Sequence, residues 1–235
     1  MIEHGMGDLQ AVSAQSLNAG VEMDMVGEGF LTTLKKSLDE KKVTMATIDN
    51  AVKLILEAKY DLGLFSDPYK YCDEKRAKTE IFTSSSRKEA RSISAQSLVL
   101  LKNQGQVVPL KKSGTSALIG PLADAKENMP GTWSVATKME NAISLLAGIK
   151  EVAGKSTKVL YAKGSNLDYD ETFETNATMF GKTLHRDSRS KEELLAEALK
   201  VANQSDVIVA ALGESAEMSG ESSSRTNLEI PQAQK

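Results

Sequence analysis

The sequence has few of the residues that build disulfides and metal centres. It contains one cysteine, Cys72, and two histidines, His4 and His185. A single cysteine cannot form an internal disulfide, and one thiol with two imidazoles provides no Cys/His cluster with zinc-ligand spacing. The neighbours of Cys72, Tyr71 and Asp73, offer nothing that would activate its thiol. We therefore expect no metal site and no cofactor.

The sequence also lacks a long apolar run and an excess of one charge. No apolar stretch approaches the roughly 20 residues that cross a bilayer. The 235 residues include 29 basic and 32 acidic side chains, for a net charge of −3, without a concentrated basic stripe that would bind nucleic acid. Hydrophobic residues make up 40% and charged residues 26%, close to globular averages. This composition predicts a folded protein with neither a membrane nor a nucleic acid as partner.

Helical patterns dominate the first part of the chain. A helix is predicted over residues 8–19, a strand over residues 21–25, where apolar and acidic residues alternate, and a second helix over residues 30–38. Thr44 is a plausible N-cap for a third helix that ends near Gly63. One face of this amphipathic helix, at steps of three and four, comprises Ile48, Val52, Ile55, Leu56 and Lys59.

A change of pattern near the middle of the chain indicates a boundary. Residues 65–84 show no sustained periodicity and contain an Asp-Pro pair and a charged run, which is typical of a linker between domains. Ser86 and Glu89 then have the spacing of a capping box, which predicts a helix that runs to Leu101.

Strands and helices alternate in the remainder. A helix is predicted near residues 141–152, and Ser190 with Glu193 forms another capping box that opens a helix. Strands are predicted at residues 116–119, 158–162 and 206–212, the last apolar enough to be buried. This alternation predicts βαβ units and a largely parallel sheet. The long polar stretch 166–189 is interpreted as a surface excursion.

The loop after the third strand, residues 213–225, is a physically motivated place for a site, because parallel sheets bind ligands at the carboxyl ends of their strands. It contains Glu214, Glu217, Glu221 and Arg225 among small residues. A carboxyl group in such a loop can act as a general acid or base. The same composition is also typical of a solvated acidic surface loop.

Trp133 is the single tryptophan of the chain and lies in an irregular stretch, residues 130–134. An exposed indole in a loop can stack on a sugar or a base, whereas a buried one would fill the core. Spacing alone leaves both alternatives open.

Five segments carry motifs that follow one another in a characteristic order: residues 18–25 (NAGVEMDM), 58–65 (AKYDLGLF), 97–103 (SLVLLKN), 119–124 (IGPLAD) and 222–226 (SSSRT). Together they resemble successive signatures of the family 3 glycoside hydrolases, of the periplasmic β-glucosidase type. The resemblance extends from about Glu3 to the last residue, in the order and spacing of the family.

The resemblance implies an α/β fold in which the C-terminal part of a (β/α)8-like barrel precedes the first part of an α/β sandwich domain with a largely parallel sheet. Residues 1–65 would be the barrel remnant, 66–85 a linker, and 86–235 the N-terminal part of the sandwich. The active site of the family lies between these domains. The chain would then be an internal fragment, with apolar faces meant for missing strands exposed.

The resemblance also implies hydrolysis of β-linked glucosides with retention, by a carboxylate nucleophile and a carboxylic acid. The acid/base of the family is a glutamate that usually stands four residues before an arginine, which selects Glu221, four before Arg225; Glu214 is the runner-up. Trp133 resembles the tryptophan that flanks the aglycone, and Trp133 and Arg225 are assigned to substrate binding. The nucleophilic aspartate belongs to a motif upstream of the match to His4 and is not in this chain, so the isolated fragment is expected to be inactive.

Two alternatives remain: a β-xylosidase or other β-glycosidase of the same family, and a carbohydrate-binding module without catalysis. The expected partner in each case is a β-linked oligosaccharide or glucoside. Residues 1–8 lack the basic and apolar regions of a signal peptide, which indicates either a cytoplasmic protein or a sequence whose true start is missing. For a periplasmic or secreted full-length enzyme, the resemblance places that peptide upstream of this sequence.

Overall fold

The computed structural model describes residues 2–135, 137–172, 186–220 and 224–235. The chain divides into two units, Met1–Val99 and Leu100–Lys235. Within the described ranges, the first unit is built from helices and the second contains a parallel sheet with helices. No helix in these ranges is both long and apolar enough to cross a membrane.

Three helices provide the core of the first unit, and each coincides with a predicted helix to within two residues. They are α1 (Leu9–Asn18), α2 (Gly29–Asp39) and α3 (Met45–Asp61). Thr44 caps α3 as predicted, because its hydroxyl accepts a hydrogen bond from the backbone N–H of Thr47 (3.1 Å). The shared core comprises Ala14, Leu17, Val43 and Ala51, with Phe30, Leu34, Leu38 and Ile48 packed against it.

Residues 21–25 do not form the predicted strand. The carboxylate of Asp24 instead accepts a hydrogen bond from the backbone N–H of Phe30 (3.1 Å), which satisfies a free donor in the first turn of α2. Met23 and Met25 are both exposed. Alternation of apolar and acidic residues makes a strand only where another strand supplies the ladder, and no described residue pairs with this segment.

The apolar face predicted for α3 is only partly covered. Ile48 packs against the core and Ala51 is buried, whereas Val52 and Leu56 are exposed. Periodicity identifies the existence of an apolar stripe but not the element that covers it. In this unit the neighbouring helices cover only the side that contains Ile48 and Ala51.

The stretch between the two predicted domains contains a short helix, α4 (Arg76–Glu80), followed by α5 (Ser84–Ser97). The prediction that Ser86 caps α5 is wrong. The cap is Thr83, whose extended backbone lets its hydroxyl accept a hydrogen bond from the backbone N–H of Ser86 (3.1 Å). The helix also ends before the predicted Leu101, because the chain is already extended at Leu98.

The second unit is organised by three parallel strands in the order β2-β1-β3, which confirms the predicted parallel sheet. They are β1 (Gly114–Ile119), β2 (Thr157–Ala162) and β3 (Val207–Ala210). The central strand is well buried, with Leu118 only 1% exposed. The third strand is shorter than predicted and lies at an edge of the sheet. Ile208 is therefore 54% exposed rather than buried.

Each crossover between the strands carries a helix, α6 (Leu145–Ala153) before β2 and α7 (Lys191–Asn203) before β3. Leu146 of α6 packs with Leu118 and Ala123 in the core. Helix α7 begins at the predicted capping box, in which the Ser190 hydroxyl and the Glu193 carboxylate each accept the other residue's backbone N–H (3.2 and 2.8 Å). In α7, Leu194 and Ala198 face the core and are buried. Leu195 and Leu199 are about half exposed.

The polar stretch between β2 and α7 is closed at its base. The amide of Asn166 donates to the backbone oxygen of Asp187 (3.0 Å) and accepts from the backbone N–H of the same residue (2.9 Å). Arg186 adds a bond to the backbone oxygen of Asp168 (3.1 Å). The surface excursion predicted over 166–189 includes residues 173–185, which lie outside the described residues.

The capping box of α7 can be tested by replacing Ser190 with alanine. Ser190→Ala removes the acceptor for the Glu193 N–H, so we expect the free energy of unfolding to fall by about 1 kcal/mol. Urea denaturation followed by far-UV circular dichroism measures this loss. Ser188→Ala, an exchange at an exposed position two residues earlier, is the matched control. Equal stability of the two variants would contradict the assigned cap.

Candidate functional site

The strand register brings the carboxyl ends of all three strands to one edge. Ile119 of the central strand is paired with Ala162 of β2 and with Ala210 of β3. Directly beyond this edge, a Cβ on Gly120 would lie 2.2 Å from the backbone oxygen of Ala211, so only glycine permits this approach. The loops that follow the strands therefore begin from fixed and adjacent positions.

The side chain of Gln234 links two of these loops. The backbone N–H of Gly213 donates to its amide oxygen (2.8 Å), and its amide nitrogen donates to the backbone oxygens of Gly213 (2.8 Å) and Leu167 (3.1 Å). Gly213 follows β3 and Leu167 follows β2. One amide therefore sets the spacing between the two loops at this point.

The loop after β3 carries two of the predicted site residues in a defined contact. Arg225 forms an ion pair with Glu214, with 2.7 Å between its Nη1 and the Oε1 of the carboxylate. Its Nη2 also donates to the backbone oxygen of Glu229 (2.7 Å). Both charged side chains are partly exposed, at 30% for Arg225 and 37% for Glu214. The predicted acid/base, Glu221, lies outside the described residues.

Between Glu214 and Gly220 the loop turns inward. Ser215 and Glu217 are buried, at 2% and 9% exposure. Glu217 is therefore not a solvated carboxylate, whereas Glu214, at the start of this segment, is exposed as the alternative of a solvated acidic loop expects. The burial of Glu217 was not foreseen, because an acidic residue in a loop is ordinarily exposed.

Contacts from the loop after β1 hold this inward turn. The hydroxyl of Thr132 lies within hydrogen-bonding distance of the backbone oxygens of Ala216 and Ser219, the latter at 2.7 Å. The amide oxygen of Asn128 accepts from the backbone N–H of Ala216 (2.9 Å). Sequence reasoning missed both Thr132 and Asn128, since their partners lie more than 80 residues away and no local pattern marks them.

Trp133 follows the buried Thr132 but is itself 63% exposed. Of the two alternatives for this residue, the structure selects the exposed indole over the core residue. An exposed aromatic ring on a loop that is fixed by its neighbour is suited to stack on a flat, partly apolar ligand. The described contacts join the loop of Trp133 to the segment 216–220.

A polar pocket of about 450 Å³ lies at the carboxyl ends of β1 and β2. Its charged groups include Asp124, whose carboxylate accepts a bond from the Ser144 hydroxyl (2.6 Å), and Lys163, which donates to Asn166 (2.8 Å). Burial, and then the charge of Asp124, raise the pKa of the Tyr161 hydroxyl in its wall. Carboxylates, amines and a hydroxyl suit a neutral ligand that carries hydroxyl groups.

Among the described residues, no group of three or more His, Cys, Asp or Glu side chains is arranged to hold a metal ion. Cys72 is free and exposed. His185 belongs to the part of the chain that the structure leaves undescribed.

The exposure of Trp133 can be measured directly because it is the single tryptophan of the chain. We expect fluorescence emission at the long wavelengths typical of a water-exposed indole, with efficient quenching by acrylamide. Emission typical of an apolar environment, with protection from the quencher, would contradict the observed placement.

The pocket wall also allows a pH prediction. Arg189 donates to the carboxylate of Asp187 from its guanidinium (2.7 and 3.0 Å) and its backbone N–H (3.0 Å), which lowers the pKa of Asp187 from 3.8 to about 2. The contribution of this pair to stability is present above pH 3.8 and is lost as the pH falls towards 2.

Arg189→Gln should therefore return the pKa of Asp187 towards 3.8, as measured by NMR titration of the carboxyl carbon. Lys191→Gln, which removes a nearby cation that makes no described contact with Asp187, is the control. An unchanged titration in Arg189→Gln would contradict the assigned cause.

Comparison with known proteins gives consistent matches for this chain. Residues 98–235 match the model of the glycosyl hydrolase family 3 C-terminal domain. The periplasmic beta-glucosidase of Salmonella typhimurium is 41% identical over 239 residues, which covers 100% of this chain and 31% of that protein. A beta-xylosidase of Formosa agariphila is 32% identical over 232 residues, covering 93% of this chain and 29% of that protein.

Solved structures of beta-glucosidases are also similar to this chain. Crystal structures of the beta-glucosidase from Listeria innocua, with isofagomine and, as a mutant, with laminaribiose, superpose with a TM-score of 0.78 at 29% identity. They cover 99% of this chain and 29% of the Listeria chain. This chain thus spans less than a third of the length of these relatives. The matched domain and the motifs together show that the chain belongs to glycosyl hydrolase family 3.

Proposed function

We propose that this chain is part of a retaining β-glucosidase and supplies its acid/base and an aromatic platform for the aglycone. The observation that carries the proposal is the joining of two loops at the carboxyl edge of the sheet. Thr132 and Asn128 bind the turn at residues 216–219, which leads into Glu221, to the loop of Trp133. A carboxyl group and an exposed indole on two joined loops suit a glycoside whose leaving group is protonated beside a stacking ring.

In the proposed reaction, Glu221 protonates the leaving oxygen and later takes a proton from the water that hydrolyses the glycosyl-enzyme intermediate. The nucleophile is an aspartate of the barrel domain, outside this chain, at the roughly 5 Å carboxyl separation that retention requires. Glu221 needs a pKa raised by enclosure against that domain in order to carry a proton at neutral pH. Substrate binding then supplies the orientation that proton transfer requires.

The ion pair of Glu214 with Arg225 favours Glu221 over Glu214 as the acid/base. A general acid must present its proton to the leaving oxygen, and Glu214 is already engaged by the Arg225 guanidinium at 2.7 Å. We assign the pair to the positioning of the loop and of the substrate. Arg225 is proposed as a substrate-binding residue on the motif spacing, and its side chain is 30% exposed beside Glu214.

The proposed domain assignment is residues 1–65 for the end of a (β/α)8-like barrel, 66–85 for the linker, and 86–235 for the first part of an α/β sandwich. The helices of the first unit and the parallel sheet of the second support it. The placement of residues 86–99 rests on the motifs, since the division between the two units falls after Val99. The periplasmic location of the Salmonella relative supports a periplasmic or secreted full-length enzyme.

A β-xylosidase is the second candidate, because the Formosa relative has that activity in its name and is 32% identical. The two sugars differ by one hydroxymethyl group, whose recognition would lie mainly on the barrel. Comparison of aryl β-glucoside and aryl β-xyloside as substrates separates these candidates.

The exposed Trp133 also suits a non-catalytic sugar-binding module. Tight binding of cellobiose by the isolated chain, seen as a change in Trp133 fluorescence, would favour that module.

The test of the proposed function uses a chimera in which this chain replaces the matching region of the Salmonella periplasmic beta-glucosidase. The isolated chain should not hydrolyse aryl β-glucosides above a Glu221→Gln control, because it lacks the nucleophile. The chimera should hydrolyse them. Glu221→Gln in the chimera should lower kcat/KM for a substrate with a poor leaving group by about 10²- to 10⁴-fold, the usual contribution of a general acid.

Glu214→Gln in the same chimera is the matched control. A much larger loss in Glu221→Gln than in Glu214→Gln supports the assignment, and the reverse order makes Glu214 the acid/base. A folded chimera without activity would overturn the proposed function, as would turnover by the isolated chain.

A further inference from the structure

We propose that Thr132 is a positioning residue that couples the acid/base loop to the aromatic platform. This inference rests on the proposed function, because it gives Thr132 a role in the delivery of the proton to the leaving group. It concerns a side chain whose hydroxyl contacts the backbone oxygens of Ala216 and Ser219. Its effect would pass through the backbone of the loop.

Thr132 is 8% exposed and lies between Gly131 and the exposed Trp133. Its hydroxyl lies within hydrogen-bonding distance of two backbone oxygens of the same turn, those of Ala216 and Ser219, which lie 84 and 87 residues later in the chain. Its methyl group packs against Gly220, where an added Cβ would approach it to 3.1 Å. The hydroxyl and the methyl group therefore fix the backbone that leads directly into residue 221.

Asn128 completes the contact from the same loop. Its amide oxygen accepts the backbone N–H of Ala216 at 2.9 Å, so both the N–H and the carbonyl of Ala216 are held by residues of the loop after β1. Two hydrogen bonds to one residue define the orientation of its peptide units as well as their position. The turn at Ala216 is thus set by the loop of Trp133.

The consequence is a fixed geometry between the turn at Ala216 and the loop that carries the platform. Glu214 and Glu221 lie on either side of the held turn, so the argument applies to either glutamate. A displacement of about 1 Å at a reacting group can lower a rate about 100-fold. Loss of the hydroxyl should therefore impair protonation of the leaving oxygen while leaving the nucleophile in place.

Leaving-group dependence distinguishes this role from a general loss of folding. A poor leaving group such as an alcohol needs a proton as the glycosidic bond breaks, whereas 2,4-dinitrophenolate leaves without one. Because kcat/KM includes the step in which that bond breaks, it reports the effect for each substrate. Misplacement of the acid should therefore lower kcat/KM only for substrates with a poor leaving group.

The experiment compares Thr132→Val and Thr132→Ser in the active chimera, with methyl β-glucoside and 2,4-dinitrophenyl β-glucoside as substrates. Valine keeps the shape of threonine without the hydroxyl, and serine keeps the hydroxyl. We expect Thr132→Val to lower kcat/KM for methyl β-glucoside by about 10- to 100-fold with little change for the dinitrophenyl substrate. Thr132→Ser should remain close to the parent.

An equal loss on both substrates, or no loss on either, would overturn the proposal. If Thr132→Val does not fold, Asn128→Leu provides the same comparison, with Asn128→Asp as the control that keeps an acceptor oxygen. If the parent chimera folds but is inactive, the proposed function fails separately. The contact itself is then tested in the isolated chain, where Thr132→Val should lower the fluorescence anisotropy of Trp133, because the loop is no longer held, and Thr132→Ser should not; unchanged anisotropy would refute the coupling.

Discussion

The parallel register of the central strand β1 with both of its neighbours is the constraint on which the second unit depends. Because Ile119 pairs with Ala162 on one side and with Ala210 on the other, all three strands end at the same level. Gly120 then allows the backbone after β3 to approach within a distance that no side chain would permit. The loops that carry the candidate site residues are adjacent because of this edge, and Thr132, Asn128 and Gln234 join loops that the strands have already placed side by side.

The elements that could be predicted from the sequence are those whose signals are local. The capping residues Thr44 and Ser190 lie within three residues of the N–H groups that they satisfy, and both were identified correctly. The alternation of apolar strands with helices was enough to predict a parallel sheet. Ser86 shows the limit of this approach, because a second hydroxyl, that of Thr83, lies three residues earlier and competes for the same turn.

Burial was harder to predict because it depends on distant parts of the chain. The apolar side of α3 and the outer side of β3 have the patterns of covered surfaces, yet Val52, Leu56 and Ile208 are exposed. For the site, motif spacing selected Glu221, Glu214, Arg225 and Trp133, and the structure joins Glu214 to Arg225. The contacts of Thr132 and Asn128 could not be foreseen, since a hydrogen bond across more than 80 residues leaves no periodic trace in the sequence.

The contact of Thr132 also restricts how these loops can change during evolution. One hydroxyl reaches two carbonyls of a single turn only if the path from Ile119 to Thr132 and the path from Ala210 to Ser219 have compatible lengths. An insertion in either loop alone would move the hydroxyl away from both oxygens. Insertions and deletions in the two loops should therefore occur together among homologues, although the loops are far apart in the gene.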